Sequence, residues 1–414
     1  MIWHLNTNIR LIGAIILLAG WPGMGVALGQ DEFPLKDGDT WVMLGDSITE
    51  QHLHSNYIEA FCFARFPNLN FRFRNAGVSG DTIYRILLPG GRFDWDVARW
   101  KPTLVSVALG ANDAGSEHPD PHQGPTCLPA GAFIANMAKL AENIRKIGAR
   151  PVFFSPSAVN DFTISANRSD QNQRLEGYAT ALRAFAAEQK APFADQYHPL
   201  VDVWAGKRLA GESVHIAPGG QLTMAAALLQ GLNAPGLVSK ATLDGTGKVG
   251  PLTQCLVSNV FVEKSGGLSF DRLDECLPMP IPVEARGGII VYPSIAELSQ
   301  WILTVTGLKS GPYQVSIDGV PVARVSADEL AHGWNMGLLE EGPVADQCRR
   351  ILQLVTIKES WVSQSRDLAH ALAKKCYGSQ RILDELNQRV LEADAKIREA
   401  AQPKSRHFSI TPLE

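Results

Sequence analysis

From about residue 40 to residue 235, short apolar runs alternate with stretches whose apolar residues recur at helical spacing. Trp41–Leu44 is the first strand-like run and Phe71–Arg74 the second. Leu104–Leu109 is the third; its nearly continuous apolar character suits a strand buried on both faces. Pro151–Phe154 and the short Pro192–Ala194 follow. Between the third and fourth runs, Phe133, Met137, Leu140, Ile144 and Ile147 mark one face of a helix. A second helix runs through Leu175 to Ala187, and Pro218 opens a third with Met224, Leu228 and Leu232 on its apolar side. Strands alternating with helices predict an α/β unit, a parallel sheet between helices, over residues 30–236.

The pattern changes near residue 236. Gly, Pro and Thr become frequent through Pro235–Pro251. Trp301–Val305 and Tyr313–Ile317 read as strands, and Asp318-Gly319 before Val320–Val322 is a hairpin signal. Residues 237–340 are therefore expected to form a small β-rich module. Residues 341–402 return to a helical pattern, with Tyr377-Gly378-Ser379 as a break between two helices. The tail, 403–414, is expected to be flexible.

The N-terminus differs in kind. Arg10 precedes the apolar stretch Leu11–Gly20, and small residues surround Val26–Gln30. That order reads as a signal peptide over residues 1–29 and predicts export to the periplasm or beyond the cell. An uncleaved anchor is the alternative, but the stretch is short for a span and Pro22 interrupts it. No other stretch is long and apolar enough to cross a bilayer. The formal charge of −4, with no long basic run, argues against nucleic acid as a partner. Six cysteines follow the leader; an exported protein can keep disulfides, and sequence does not choose among the pairings. No Cys or His spacing suggests zinc, and the nearest pair, His118 and His122, lies in a Pro-rich loop; no metal site is expected.

Four segments carry candidate chemistry. Gly45-Asp46-Ser47-Ile48 ends the first run just before a helix, where a serine presents its hydroxyl and its backbone N–H at a helix N-terminus. Asn75–Thr82 follows the second run, Gly110–Asp113 the third, and Glu212–His215 precedes the last helix. The first three lie at the carboxyl edge of the expected sheet, where ligands of open α/β sheets bind. Ser47 is the candidate nucleophile, His215 its base, and Glu212 the acid that orients the imidazole. The N–H groups of Ser47 and Gly80 and the Asn112 amide are candidate oxyanion donors. Each segment alone is an ordinary turn; the combination in this order is not.

These blocks resemble the SGNH (GDSL) hydrolase superfamily over roughly residues 38–235. The resemblance implies a flavodoxin-like sheet, serine esterase or lipase activity, and no cofactor. It assigns the nucleophile to Ser47, the oxyanion donors to Ser47, Gly80 and Asn112, the base to His215, and a supporting place in the nucleophile turn to Asp46. One position departs: the family usually has Asp three residues before the histidine, and this chain has Glu212. The Gly-x-Ser-x-Gly elbow of the other large serine-hydrolase class is absent.

A leader, an esterase core and appended modules are most similar to exported carbohydrate esterases. The expected substrate is a small-molecule or glycan ester with a short acyl group, foremost acetyl. A lipid-ester hydrolase is the alternative; the polar, Pro-rich loop Ser116–Pro129 speaks against it. A non-catalytic glycan-binding protein on the same scaffold is a third reading, against which the retained Ser47, Asn112 and His215 stand. The β-rich module is expected to pack against the hydrolase and shield its edge rather than bind glycan. Oligomeric state is left open.

Overall fold

The computed structural model describes residues 32–115, 126–159, 169–207, 215–374 and 378–413. The leader, His118 and His122, and Glu212 lie outside the described residues. Five parallel strands, β1 (Thr40–Gly45), β2 (Arg72–Gly77), β3 (Leu104–Ala108), β4 (Arg150–Phe154) and β5 (Phe193–Ala194), form a sheet in the order β2-β1-β3-β4-β5. Successive residues of β1 feed two cores. Trp41 and Met43 face one cluster, and Val42 and Leu44 the other. A strand covered on both faces cannot alternate apolar with polar, which is why these runs are continuous in the sequence.

Among the helices of this unit, α1 (Ser47–Glu50), α2 (His54–Arg65) and α3 (Ile83–Ile86) precede β3. They are followed by α4 (Ala130–Lys146), α5 (Ser169–Glu188), α6 (Tyr197–Lys207) and α7 (Pro218–Gly231). Phe61 of α2 and Leu228 of α7 pack on one face of the sheet, and Met137 of α4 and Leu182 of α5 on the other. The parallel sheet between helices anticipated from the sequence is present, and each of its strands begins or ends within two residues of the expected run.

The remainder of the chain is built onto the α2–α7 face. Strands β6 (Leu237–Asp244), β7 (Val249–Thr253), β8 (Cys255–Val262) and β9 (Leu268–Asp274) precede a short helix, α8 (Gly287–Val291). Then come β10 (Gln300–Thr306), β11 (Pro312–Ile317), β12 (Val320–Ser326), α9 (Ala327–His332) and β13 (Trp334–Asn335). The strands form two sheets, β13-β10-β6-β7 and β12-β11-β14-β9-β8, where β14 is Arg406–Pro412. Asp318 and Gly319, at φ 51° and 79°, close the β11–β12 hairpin. Two consecutive left-handed residues are what a tight hairpin turn needs.

Two expectations about this half need correction. Residues 403–414, expected to be a flexible tail, instead supply β14, which pairs with β11 on one side and β9 on the other. Phe408 and Ile410 point into the core and are fully buried. Secondly, the β-rich part packs against the hydrolase unit as expected, but on its α2–α7 face and not along the β2 edge. Its core residues Val238, Phe270, Leu303 and Phe408 are continuous with those of α2 and α7. Buried Arg65 ties the junction, donating to the carbonyls of Pro235, Leu237 and Leu298 at 2.7–3.0 Å.

The exposed edge at β2 is covered instead by two long helices, α10 (Pro343–Ala373) and α11 (Gln380–Ala400). Arg74 of β2 pairs with Asp394 of α11 at 2.7 Å, both nearly fully buried. Covering an edge strand removes an open ladder of backbone groups. The five described cysteines, Cys62, Cys127, Cys255, Cys276 and Cys348, carry free thiols. Among the described residues, no helix is long and apolar enough to cross a membrane.

Candidate active site

The register of the sheet brings three loops together. Gly45 of β1 pairs with Gly77 of β2 and Ala108 of β3, so the loops that follow leave the sheet side by side at its carboxyl edge. Ser47 is the first residue of α1, behind the N-cap Asp46, whose carboxylate accepts the Ile48 N–H at 3.0 Å. Two glycines make the turn possible. A Cβ on Gly45 would lie 2.0 Å from Thr49 Oγ1, and one on Gly77 would lie 2.3 Å from the backbone nitrogen of Glu50. The first turn of α1 therefore rests directly on the strand backbones.

His215 lies in the approach to α7, and its Nε2 is 3.1 Å from Ser47 Oγ. This contact spans 168 residues of sequence. Both residues are half-buried, open to a substrate yet partly withdrawn from water. Gly80 adopts φ +72°, a backbone conformation that side-chain-bearing residues rarely take. The Asn112 amide donates to the Asp81 carbonyl at 2.9 Å, which ties the second loop to the third and leaves one amide hydrogen uncommitted to that bond. The structure thus brings Ser47, Asp46, Gly80, Asn112 and His215 to one sheet edge; Glu212 lies outside the described residues.

Buried carboxyl groups support these loops from behind. Asp113 accepts the Ile83 N–H at 3.1 Å, and burial pushes its carboxyl up to about 7. Burial likewise raises Asp46 to about 7, assisted by the charges of Asp113 and Asp81 and opposed by the Ile48 N–H. Asp81 rises to about 6 through burial, although Arg92 Nε sits 2.6 Å away and pulls the other way. Behind the nucleophile turn, His54 holds the Gln221 carbonyl at 2.8 Å, and burial lowers the imidazole to about 4. His54 is therefore a neutral structural histidine.

Helix α10 contributes residues that the sequence did not single out. The carboxylate of Glu359 accepts the Asn75 N–H at 3.1 Å. Asn75 in turn donates to the Thr49 carbonyl at 2.7 Å and accepts the Gly77 N–H at 2.8 Å. Arg366 donates to the Gly77 carbonyl at 2.6 Å. Lys358 is fully buried, with Nζ 2.6 Å from Glu59, 2.5 Å from Glu359 and 2.9 Å from the Phe73 carbonyl. Burial opposes the charged form of each of these three groups. For Lys358 the two glutamates outweigh burial and raise it; for Glu359 the lysine outweighs burial and lowers it; Glu59 remains raised. These partners lie roughly 280–300 residues from the strands they hold, beyond any local pattern.

Among the described residues, no group of three or more His, Cys, Asp or Glu side chains could hold a metal ion. The arrangement can activate a hydroxyl: a serine at a helix N-terminus, an imidazole within hydrogen-bond reach, and donors on two adjacent loops.

Residues 43–221 match the model of the GDSL-like lipase/acylhydrolase family. An acetylxylan esterase of Geobacillus stearothermophilus is 24% identical over 215 residues, covering 47% of this chain and 94% of that relative. A solved structure of an acetylxylan esterase from the same organism aligns with TM-score 0.41 at 20% identity, over 47% of this chain and 94% of that one. A gut microbial diltiazem-metabolizing enzyme aligns over 93% of this chain and 99% of its own, with TM-score 0.78 at 22% identity. That likeness shows that the fold extends through the two β-sheets and the helices α10 and α11, beyond the hydrolase unit. The family match spans Ser47, Gly80, Asn112 and His215 together. Residues 43–221 thus carry a GDSL-like lipase/acylhydrolase domain, similar to the SGNH (GDSL) hydrolases, and make the protein a serine ester hydrolase.

Proposed function

We propose that the protein is an exported esterase that removes short acyl groups, foremost acetyl, from carbohydrate. The observation that carries the chemistry is the 3.1 Å contact between Ser47 Oγ and His215 Nε2 at the carboxyl edge of the sheet. In this reading Ser47 attacks the acyl carbonyl while His215 Nε2 takes its proton. The backbone N–H groups of Ser47 and Gly80 and the Asn112 amide receive the negative charge on the carbonyl oxygen, each such donor contributing about 3–4 kcal/mol in the transition state. His215 then passes the proton to the departing alcohol. Water enters by the reverse route and releases the acid, regenerating Ser47. For Nε2 to accept, the neutral imidazole carries its proton on Nδ1, and Glu212 is the proposed acceptor of that N–H.

The carbohydrate half rests on different support: the relative named an acetylxylan esterase, the leader-like N-terminus, and the polar segment between β3 and α4. The test is kcat/KM against acyl length for nitrophenyl esters and acetylated polysaccharides, with Ser47→Ala as control. Activity is expected to fall sharply beyond butyryl, and Ser47→Ala to be inactive yet folded. A steady rise to octanoyl, about 0.8 kcal/mol for each buried methylene, refutes the acetyl reading in favour of a lipid ester. An active Ser47→Ala protein refutes the mechanism.

A further inference from the structure

The short helix α1 bears on the candidate oxyanion site at both of its ends. Its first residue, Ser47, offers one backbone donor, and its last, Glu50, reaches across to the loop that offers the second. One oxygen of the Glu50 carboxylate accepts the Ser79 N–H at 2.8 Å, one residue before Gly80. The other oxygen faces Arg366 of α10, whose Nη2 lies 3.6 Å away. Nη1 of the same guanidinium donates to the Gly77 carbonyl at 2.6 Å, and its Nε meets the Asp367 carboxylate at 3.0 Å.

Gly80 lies in a turn whose type decides where its N–H points. The segment Val78–Asp81 is closed by the Asp81 N–H on the Val78 carbonyl at 3.3 Å, with Gly80 in third place at φ +72°. That is the arrangement of a type II turn. A type I turn over the same residues swings the two dihedrals beside the Ser79–Gly80 peptide by about 150–170°, which reverses the Gly80 N–H. The peptides around this central one are pinned. Arg366 holds the Gly77 carbonyl, and the Val78 N–H donates to the Gly45 carbonyl at 3.2 Å. Glu50 holds the next N–H along, that of Ser79, and Arg85 donates to the Gly80 carbonyl at 3.3 Å. Ser79 is exposed, so water would satisfy its N–H without help. What the Glu50 carboxylate adds is a fixed direction, and Arg366, 289 residues beyond Gly77, keeps that carboxylate in place.

We propose that Glu50 and Arg366 are positioning residues for ester hydrolysis: the pair holds the Val78–Asp81 turn so that the Gly80 N–H meets the carbonyl oxygen of the substrate. The oxyanion site is then completed by α10, which lies outside the domain matched by residues 43–221. The proposal rests on the oxyanion role given to Gly80 above.

The experiment is steady-state hydrolysis of nitrophenyl acetate by the full chain, with active sites counted from the nitrophenol released when diethyl nitrophenyl phosphate blocks Ser47. Glu50→Ala is expected to lower kcat and kcat/KM together, about tenfold or more per active site, because it weakens a contact made only in the transition state. Glu50→Gln keeps an oxygen for the Ser79 N–H and is expected to restore most of that loss. Arg366→Met is expected to lower kcat per site in the same way. Arg366 is buried and Glu50 is partly exposed, so Glu50→Ala decides the matter if Arg366→Met fails to fold. A merely structural role would reduce the number of active sites and leave kcat per site at the wild-type value; that result, or a change confined to KM, overturns the proposal. Asn112→Ala, which removes a side-chain donor of the same site, is measured in parallel. If it lowers kcat and Glu50→Ala does not, the positioning pair falls and the oxyanion reading stands. If neither lowers kcat, the oxyanion reading falls and the pair with it.

Discussion

Replacing Lys358 with methionine is the most direct test of how α10 supports the catalytic edge. The side chain is fully buried, as are its partners Glu59 and Glu359 at 2% exposure. Methionine keeps the length and apolar volume of the stem but removes the charge. Two carboxyl groups and the Phe73 carbonyl then lose their cation in a site closed to water. Breaking a buried ion pair from one side costs about 3–5 kcal/mol, because the remaining charge is left uncompensated. The cost is expected to depend on pH with a definite sign. Burial already raises Glu59 with the lysine present, and without it the folded-state pKa lies higher still. A group raised in the folded state contributes stability that is present below its unfolded pKa and lost as pH rises through the folded value. The deficit of Lys358→Met is therefore expected to be smaller at pH 5 than at pH 8. Urea unfolding at both pH values measures it, and adding Glu59→Gln to Lys358→Met is expected to recover part of the loss at pH 8. A single variant within about 0.5 kcal/mol of wild type at pH 8, the range of an ordinary surface change, refutes the argument that this cluster bears on stability.

Two further outcomes follow from the site. Glu212→Ala is expected to lower kcat less than His215→Ala, with Glu212→Asp retaining substantial activity; a silent Glu212→Ala would mean that another acceptor holds the imidazole. Asp113, raised to about 7 by burial, contributes stability that is lost as pH climbs from about 4 to 7. Asp113→Asn keeps a carbonyl for the Ile83 N–H and is expected to flatten the pH dependence of the unfolding midpoint between pH 5 and pH 8; an unchanged slope refutes that assignment.

The parallel sheet and most of the site were legible because their signals are local. Trp41–Leu44 is apolar at every position because alternate residues enter different cores, and the glycines at 45 and 77 stand where α1 touches the strands. Ser47, Gly80 and Asn112 each follow a strand that the sequence marks by itself. The brace from α10 was hidden for the opposite reason. Lys358, Glu359 and Arg366 look like the solvated face of a charged helix, and only contacts made across nearly 300 residues reveal them as buried. The last strand was missed because its inward residues, Phe408 and Ile410, are only two, set among polar neighbours after Pro403.

That strand has a consequence for how the molecule comes into being. β14 sits at the centre of its sheet, and its neighbours β9 and β11 are separated from it by roughly 90–140 residues of chain. During synthesis β8, β9, β11 and β12 leave the ribosome as two unconnected hairpins with unpaired inner edges. They cannot become one sheet until residue 412 has also emerged. Joining strands so distant in sequence is slow, so the inner edges of β9 and β11 stay unpaired until the last strand is in place.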